Sequence, residues 1–329
     1  MLIGQVILGG ITRLTGSGLS ITRWDVITGV IPPLNVEEWM KAFDLYKQTP
    51  QFHKINSTFN LQDFKFIYFW EYFHRLWVRS LGFIFLIPFL VFVLKKQIDI
   101  YLIKRLGLVV FLTILTASAG WIMVQSGLVD RPWVNAYKLT VHFVFALLVV
   151  AAMVRTIADV YLYSTRNSVS RTIVSLVLVV TFIQLIFAGL LAGMRAGLYY
   201  PTWPDMNGEF VPSVLLKTTN WSWANMINYD SYLFAPAFIQ FTHRTLAYLL
   251  GGLTIYMFFV LKGKLELISR KWLYATLILV LAQIILGVLT VLNVNGKIPL
   301  FLGVSHQLVG LLYFISLLFL YYSLRKRKA

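Results

Sequence analysis

Four of the five histidines in this 329-residue chain, His74, His142, His243 and His306, fall near one end of long apolar runs, and the fifth, His53, falls in a polar stretch. An imidazole in an apolar setting needs a partner for each ring nitrogen. One such histidine is ordinarily explained by a hydrogen bond to a neighbouring helix. Four of them, in two matched pairs, are better explained by shared metal ions. Zinc or copper centres recruit carboxylates or sulfur as well, and no cluster of these accompanies the histidines. The chain has no cysteine, which excludes disulfides, thiolate ligands, Cys-ligated iron–sulfur clusters and c-type heme attachment. A planar iron porphyrin held edge-on between helices, with histidines as axial ligands, fits better. Ala146, Ala247 and Gly310 follow three of the histidines by four residues, with Val78 after the fourth, so the helix surface beside each imidazole is low. His53 reads as a solvated side chain.

Charged residues stand next to two of these histidines. Arg75 and Arg244 directly follow His74 and His243, where bidentate pairing with porphyrin propionates and snorkelling to lipid headgroups are equally good expectations. Glu71, three residues before His74 and on the same helical face, is the one acidic side chain expected inside a membrane span, and such a group is a functional candidate. The corresponding residue before His243 is Gln240. This inequality marks the His74/His142 pocket as the reactive one and the His243/His306 pocket as an electron-transfer site. The alternative is a structural Glu71, bonded to Arg75 or to a loop.

Histidines at one depth require helices that cross a membrane. Hydrophobic residues make up 58% of the chain and charged residues 13%, with a mean hydropathy of +0.74, far more apolar than one soluble core can bury. Seven runs reach the roughly 20 residues a crossing needs: residues 66–94, 106–124, 139–160, 172–194, 235–261, 272–292 and 300–324. An eighth, residues 1–11, is short. It is expected to be a first crossing that lacks its beginning, because no basic n-region or cleavage site marks a signal peptide. The fold class is therefore an all-α integral membrane protein with eight transmembrane helices.

The net charge of +16 reads as membrane orientation, not as nucleic-acid binding. Lys95, Lys96, Lys104, Arg105, Arg155, Arg166, Arg171, Lys262, Lys264, Arg270, Lys271, Arg325, Lys326, Arg327 and Lys328 gather in the short connections of one face and in the C-terminal tail. That face is expected to be cytoplasmic and to carry both termini, with the histidines toward the outer side. Two outer connections are long, residues 14–65 and 195–234. Within the first, residues 36–46 have the period of an amphipathic helix, with Val36, Trp39, Met40, Phe43 and Tyr46 on one face, expected to lie along the outer interface.

The chain also repeats itself. Gln5, Gly10, Gly18, Leu19 and Trp24 recur at one constant offset as Gln184, Gly189, Gly197, Leu198 and Trp203. His74-Arg75 with Gly82 recurs as His243-Arg244 with Gly251, and Gly120 before His142 as Gly287 before His306. Four crossings return a chain to the side it started from, so the halves are expected to be parallel repeats about an axis along the membrane normal. The expected organisation is two pseudo-symmetric four-helix bundles. Residues 1–165 hold the reactive pocket and residues 166–329 the electron-transfer pocket.

The run from Gly9 to Ser20 (GGITRLTGSGLS), the Glu71-Tyr72-Phe73-His74-Arg75 and Phe241-Thr242-His243-Arg244 segments, and His306-Gln307 resemble the heme A synthase family, in the branch found in mitochondria and many Gram-negative bacteria. The resemblance covers essentially the whole chain. It implies oxidation of the C8 methyl of heme O to the formyl group of heme A, with water-derived oxygen and with electrons leaving through a resident heme b. His243 and His306, with Arg244 beside them, would hold heme b. His74 and His142, with Arg75, would bind the substrate heme, and Glu71 would accept protons. The setting implied is the cell inner membrane and cytochrome oxidase assembly, with heme O synthase, an electron acceptor and a homo-oligomer left open as partners. Another branch of the family has a cysteine pair in the first external loop. Its absence here excludes a thiol relay and leaves the electron route open. Two competing classes are a diheme b-type electron-transfer cytochrome acting with quinone, which needs no carboxylate at one heme only, and a transporter with proton-relaying histidines, which would be colourless.

Overall fold

The computed structural model describes residues 1–22, 31–129, 131–161 and 168–324; Trp24, Arg166 and the tail residues Arg325, Lys326, Arg327 and Lys328 lie outside the described residues. In chain order the helices are α1 (Leu2–Leu14), α2 (Val36–Lys47), α3 (Pro50–Lys54), α4 (Leu61–Leu94), α5 (Ile100–Gln125), α6 (Ala136–Tyr161), α7 (Ser168–Gly193), α8 (Ser213–Leu216), α9 (Trp223–Ile227), α10 (Phe234–Leu261), α11 (Leu267–Leu292) and α12 (Leu300–Ser323). Among the described residues there is no strand, only an isolated bridge between Met206 and Glu209.

Local sequence starts the long helices. Asn60 accepts from the backbone of Gln62 and Asp63 while Asp63 accepts from the backbone of Asn60, a reciprocal cap on α4. Asp99 caps α5 through the Leu102 amide at 2.7 Å. Seven helices, α4, α5, α6, α7, α10, α11 and α12, are long and apolar enough to cross a membrane, and they coincide with the seven predicted runs. Their faces stay bare of protein: Phe83, Ile84 and Ile87 on α4, Phe111 and Ile114 on α5, Phe259 on α10 and Ile278 on α11 are all exposed. Lipid is the solvent for such surfaces, and the chain is read as a multi-pass membrane protein. Helix α1 has 13 residues, about 20 Å of helix, which does not reach across a hydrocarbon core of about 30 Å by its own length.

The chain divides into two compact units, Met1–Ala146 and Leu147–Ala329. In the first, α1 packs on α4, and α4 contacts α5. The 34 residues of α4 make about 50 Å of helix, more than a membrane needs, and its first turns dock α2 and α3. Phe43, Tyr46, Phe64 and Ile67 form a small core there, and Trp39 meets Tyr68 edge-on at 5.0 Å. The apolar face of α2 is therefore spent largely on α4, while its Val36 and Met40 are exposed. In the second unit α7 packs on α10 and α12, and α11 joins α10 to α12, around Val177, Leu250, Met257, Leu273, Val280 and Leu317. Hydrogen bonds between Thr254 and Tyr313 at 2.7 Å and between Thr276 and Ser316 at 3.0 Å cross between helices, each worth about 0.6 kcal/mol in such packing.

A buried network fastens the α2–α3 segment to the turn after α1. The Tyr46 hydroxyl donates to Gln51 Oε1 at 3.1 Å and accepts from Asn56 at 2.7 Å, and Gln51 Nε2 donates to the Gly16 carbonyl at 2.9 Å. Gly16 has φ of +70°, which favours glycine. Burial pushes the Tyr46 phenol up to about 12 from its ordinary 10.0. An acid raised in the folded state contributes stability that is fully present below its unfolded value and is lost as pH rises through the folded one. Limited proteolysis of residues 36–56 should thus stay slow up to about pH 10 and accelerate between about pH 10 and 12, and Tyr46→Phe should remove that step.

Candidate functional site

His74 on α4 and His142 on α6 both belong to the first unit and lie close enough to interact electrostatically. Helix α1 brings Gln5 to His74. The Gln5 amide donates to the His74 carbonyl at 3.4 Å and lies 3.2 and 3.3 Å from Nε2 and Nδ1 of the ring. A donor almost equidistant from both nitrogens sits over the ring, not along either lone pair. One turn further along α1, a Cβ built on Gly9 would come within 3.3 Å of the same imidazole. His142 is held differently: its Nδ1 donates to the Thr116 carbonyl of α5 at 2.8 Å. A carbonyl can only accept, so Nδ1 carries the proton and Nε2 keeps its lone pair. Gly120 makes room for that ring, since a Cβ there would stand 3.0 Å from His142 Cε1.

Glu71 is 3% exposed. Its Oε2 accepts from the Ser20 hydroxyl at 2.7 Å and the Ile21 amide at 2.8 Å, and its Oε1 from Arg75 at 2.5 Å. Arg75 also donates to the Ile21 carbonyl at 3.2 Å. The carboxylate thus fastens the segment after α1 onto α4, while sharing the helical face of His74.

In the second unit, His243 on α10 and His306 on α12 face each other with ring centres 6.5 Å apart and planes at 68°. Gln184 of α7 donates to the His243 carbonyl at 2.9 Å and lies 3.4 Å from His243 Nε2. Gln283 of α11 lies 3.2 Å from His306 Nε2. A Cβ on Gly287 would stand 3.0 Å from His306 Cε1. Arg244 donates to the carbonyls of Tyr200 at 2.8 Å and Asp205 at 2.7 Å, and Gln240, 1% exposed, donates to the Tyr200 carbonyl at 2.9 Å. The Thr202 hydroxyl, with the Gly208 amide and Arg244, holds the Asp205 carboxyl below the ordinary carboxylate value.

Three contacts recur in the two units. Gln5 and Gln184 each donate to the backbone of a histidine. Gly120 and Gly287 each admit an imidazole. Arg75 and Arg244 each donate to a carbonyl, of Ile21 and Tyr200, which stand at the same offset as the two glutamines. Both arginines are thus engaged with backbone, a role that neither the propionate nor the headgroup expectation included. His53 is exposed, as expected.

The histidine geometry can be tested against a porphyrin. Metal–imidazole bonds of about 2 Å, with the ring centre about 1 Å beyond each nitrogen, put two axial imidazoles about 6 Å apart, close to the 6.5 Å found. Among the described residues, Nδ1 of His243 and Nδ1 of His306 are buried without a hydrogen-bond partner, and imidazoles left in that state suit a bound metal. No group of three or more His, Cys, Asp or Glu side chains able to hold a metal occurs among the described residues. Two imidazoles suffice for a porphyrin iron, and the donor set fits it.

A family model described as "Cytochrome oxidase assembly protein", COX15-CtaA, matches residues 1–318. The chain belongs to this family. Among curated relatives, "Heme A synthase" of Flavobacterium psychrophilum is 38% identical over 92% of this chain and 88% of its own length. "Heme A synthase" of Nitrosospira multiformis is 37% identical over 99% and 91%, and that of Wolbachia sp. subsp. Brugia malayi 37% over 99% and 94%. In this COX15-CtaA chain, sequence reasoning marked Gln5, Gln184, Gly120 and Gly287 as repeat positions and Ser20 as part of the Gly9–Ser20 run without assigning their contacts, and it missed Thr116 and Gln283. Gly120→Ala and Gly287→Ala should each push an imidazole aside and lower the Soret absorbance per protein after reconstitution with heme, whereas Gly252→Ala, with open space around it, should leave it unchanged.

Proposed function

We propose that the chain carries out the heme A synthase reaction, oxidising the C8 methyl of heme O to the formyl group of heme A. Conversion of a methyl group to an aldehyde with oxygen from water takes up one water and releases four electrons and four protons. The substrate heme is held between His74 and His142. His243 and His306 would hold a heme b, which would supply a one-electron exit. Glu71 accepts protons beside the substrate, and Ser20, the Ile21 amide and Arg75 fix its carboxylate in place. Arg75 and Arg244 hold the connecting segments against the two sites through the carbonyls of Ile21, Tyr200 and Asp205.

The observation that carries the reading is a chemical difference set among repeated contacts: a buried carboxylate at Glu71 where the other unit has Gln240. The names of the relatives agree with it. The same reading counts α1 as a crossing and places two parallel four-helix halves, residues 1–165 and 166–329, in the cell inner membrane. Both termini are cytoplasmic and the histidines lie toward the outer side, where heme O arrives from lipid or from heme O synthase and electrons leave to an acceptor.

Glu71→Gln copies the residue the second unit accommodates, so it should keep the fold and heme binding while lowering heme O conversion by about a hundredfold or more. Pigment extraction after co-expression with a heme O source reads this directly, and unchanged heme A yield would remove the role given to Glu71. His243→Ala should lose the resident heme; a normal low-spin spectrum in that variant would overturn the ligand assignment.

A further inference from the structure

Three of the four site histidines have a glutamine amide at the ring: Gln5 at His74, Gln184 at His243 and Gln283 at His306. His142 is held instead by the Thr116 carbonyl. The repeat makes this exception informative. Four residues before the glycines that admit the two rings, Gly120 and Gly287, the first unit has Thr116 and the second has Gln283. Thr116 spends its hydroxyl on the Leu112 carbonyl of its own helix at 2.7 Å. Gln283 reaches across from α11 to within 3.2 Å of His306 Nε2. The Gln283 carbonyl lies near this ring as the Thr116 carbonyl does near His142, so the side-chain amide is an addition to a shared frame.

A second difference accompanies the first. Four residues after His142 and His306 stand Ala146 and Gly310. A Cβ on Gly310 would lie 2.9 Å from the Gln283 amide nitrogen, so the missing methyl is the room in which the glutamine meets the ring. The longer side chain on α11 thus goes with the smaller residue on α12, and the two positions differ between the units together. Gln283 also has a cost, since its Oε1 is buried without a partner. A leucine would avoid it, so position 283 gives up stability for the contact with His306. An amide has a donor end and an acceptor end, and meets a ring nitrogen in either protonation state.

We propose that Gln283, seated by Gly310, is a positioning residue that fixes the plane of the His306 imidazole and so slows loss of the resident heme, while Thr116 with Ala146 leaves the substrate site without this hold. This rests on the heme A synthase reading and adds to it what separates a retained heme from an exchanged one. Losing a side chain that orients a metal-binding histidine lowers metal affinity by about 10- to 100-fold.

The test uses full-length protein purified with its resident heme in detergent, and follows heme transfer to excess apomyoglobin together with electron paramagnetic resonance of the oxidised protein. Gln283→Met keeps the length of the side chain and removes its polar end, and Gln283→Thr copies the first unit. Both should speed transfer by about tenfold or more and shift the low-spin signal as the His306 plane is released. The double variant Thr116→Gln/Ala146→Gly should release added protoheme more slowly than the unsubstituted protein. Unchanged transfer in Gln283→Met would overturn the proposal, and so would faster transfer with an unshifted signal, since the glutamine would then only fill space. Should the position-283 variants fail to fold, the double variant decides, and undiminished protoheme release from it overturns the proposal. Each of these results leaves the heme A synthase reading standing. Unsubstituted protein whose pigment lacks bis-imidazole ligation would sink that reading's ligand assignment and this proposal with it.

Discussion

A neutral imidazole brings two nitrogens that each require a partner, and between helices packed in lipid there is little water to serve as one. Burying a polar atom unmet costs about 1–3 kcal/mol, a large part of a net stability of about 5–15 kcal/mol. The protein meets this constraint in two ways. In the first unit the Thr116 carbonyl accepts a hydrogen bond from His142 Nδ1, which fixes the ring and leaves Nε2 its lone pair. In the second, His243 and His306 keep unpaired Nδ1 atoms with ring centres 6.5 Å apart, a pair that the proposed metal would complete.

Bringing imidazoles into such positions requires helices to approach closely, and the glycines at Gly9, Gly120 and Gly287 give the imidazoles that approach. Arginine–carbonyl clasps then bind the segment after α1 to α4, and the segment after α7 to α10. These contacts recur in both units, so chemistry can diverge at a few side chains without disturbing them. Glu71 stands where the second unit has Gln240, a carboxylate against an amide in a repeated frame.

The seven long helices were legible because hydropathy along the chain reports on lipid, a property each segment has by itself. The histidines and Glu71 were legible for a related reason: a polar group in an apolar run stands out without knowledge of its neighbours. Contacts between helices were not. Gln5 is marked by the repeat, but its place over the His74 ring depends on how α1 is rotated against α4. Thr116 acts through its backbone carbonyl, so its side chain carries no signal. The amphipathic face of residues 36–46 was visible, yet periodicity does not say whether its partner is a membrane interface or the projecting end of α4. Arg75 and Arg244 were assigned to anions because nothing in the local sequence reveals that connecting segments fold back over them.

The central claim is that two buried imidazoles of the second unit grip one iron. Electron paramagnetic resonance of the purified, oxidised protein carrying its native pigment reports axial ligands directly. The expected result is a low-spin ferric signal with the large anisotropy of two imidazoles whose planes are close to perpendicular, as the 68° between His243 and His306 requires. A high-spin signal alone, or pigment that shows no nitrogenous axial ligation, would contradict it.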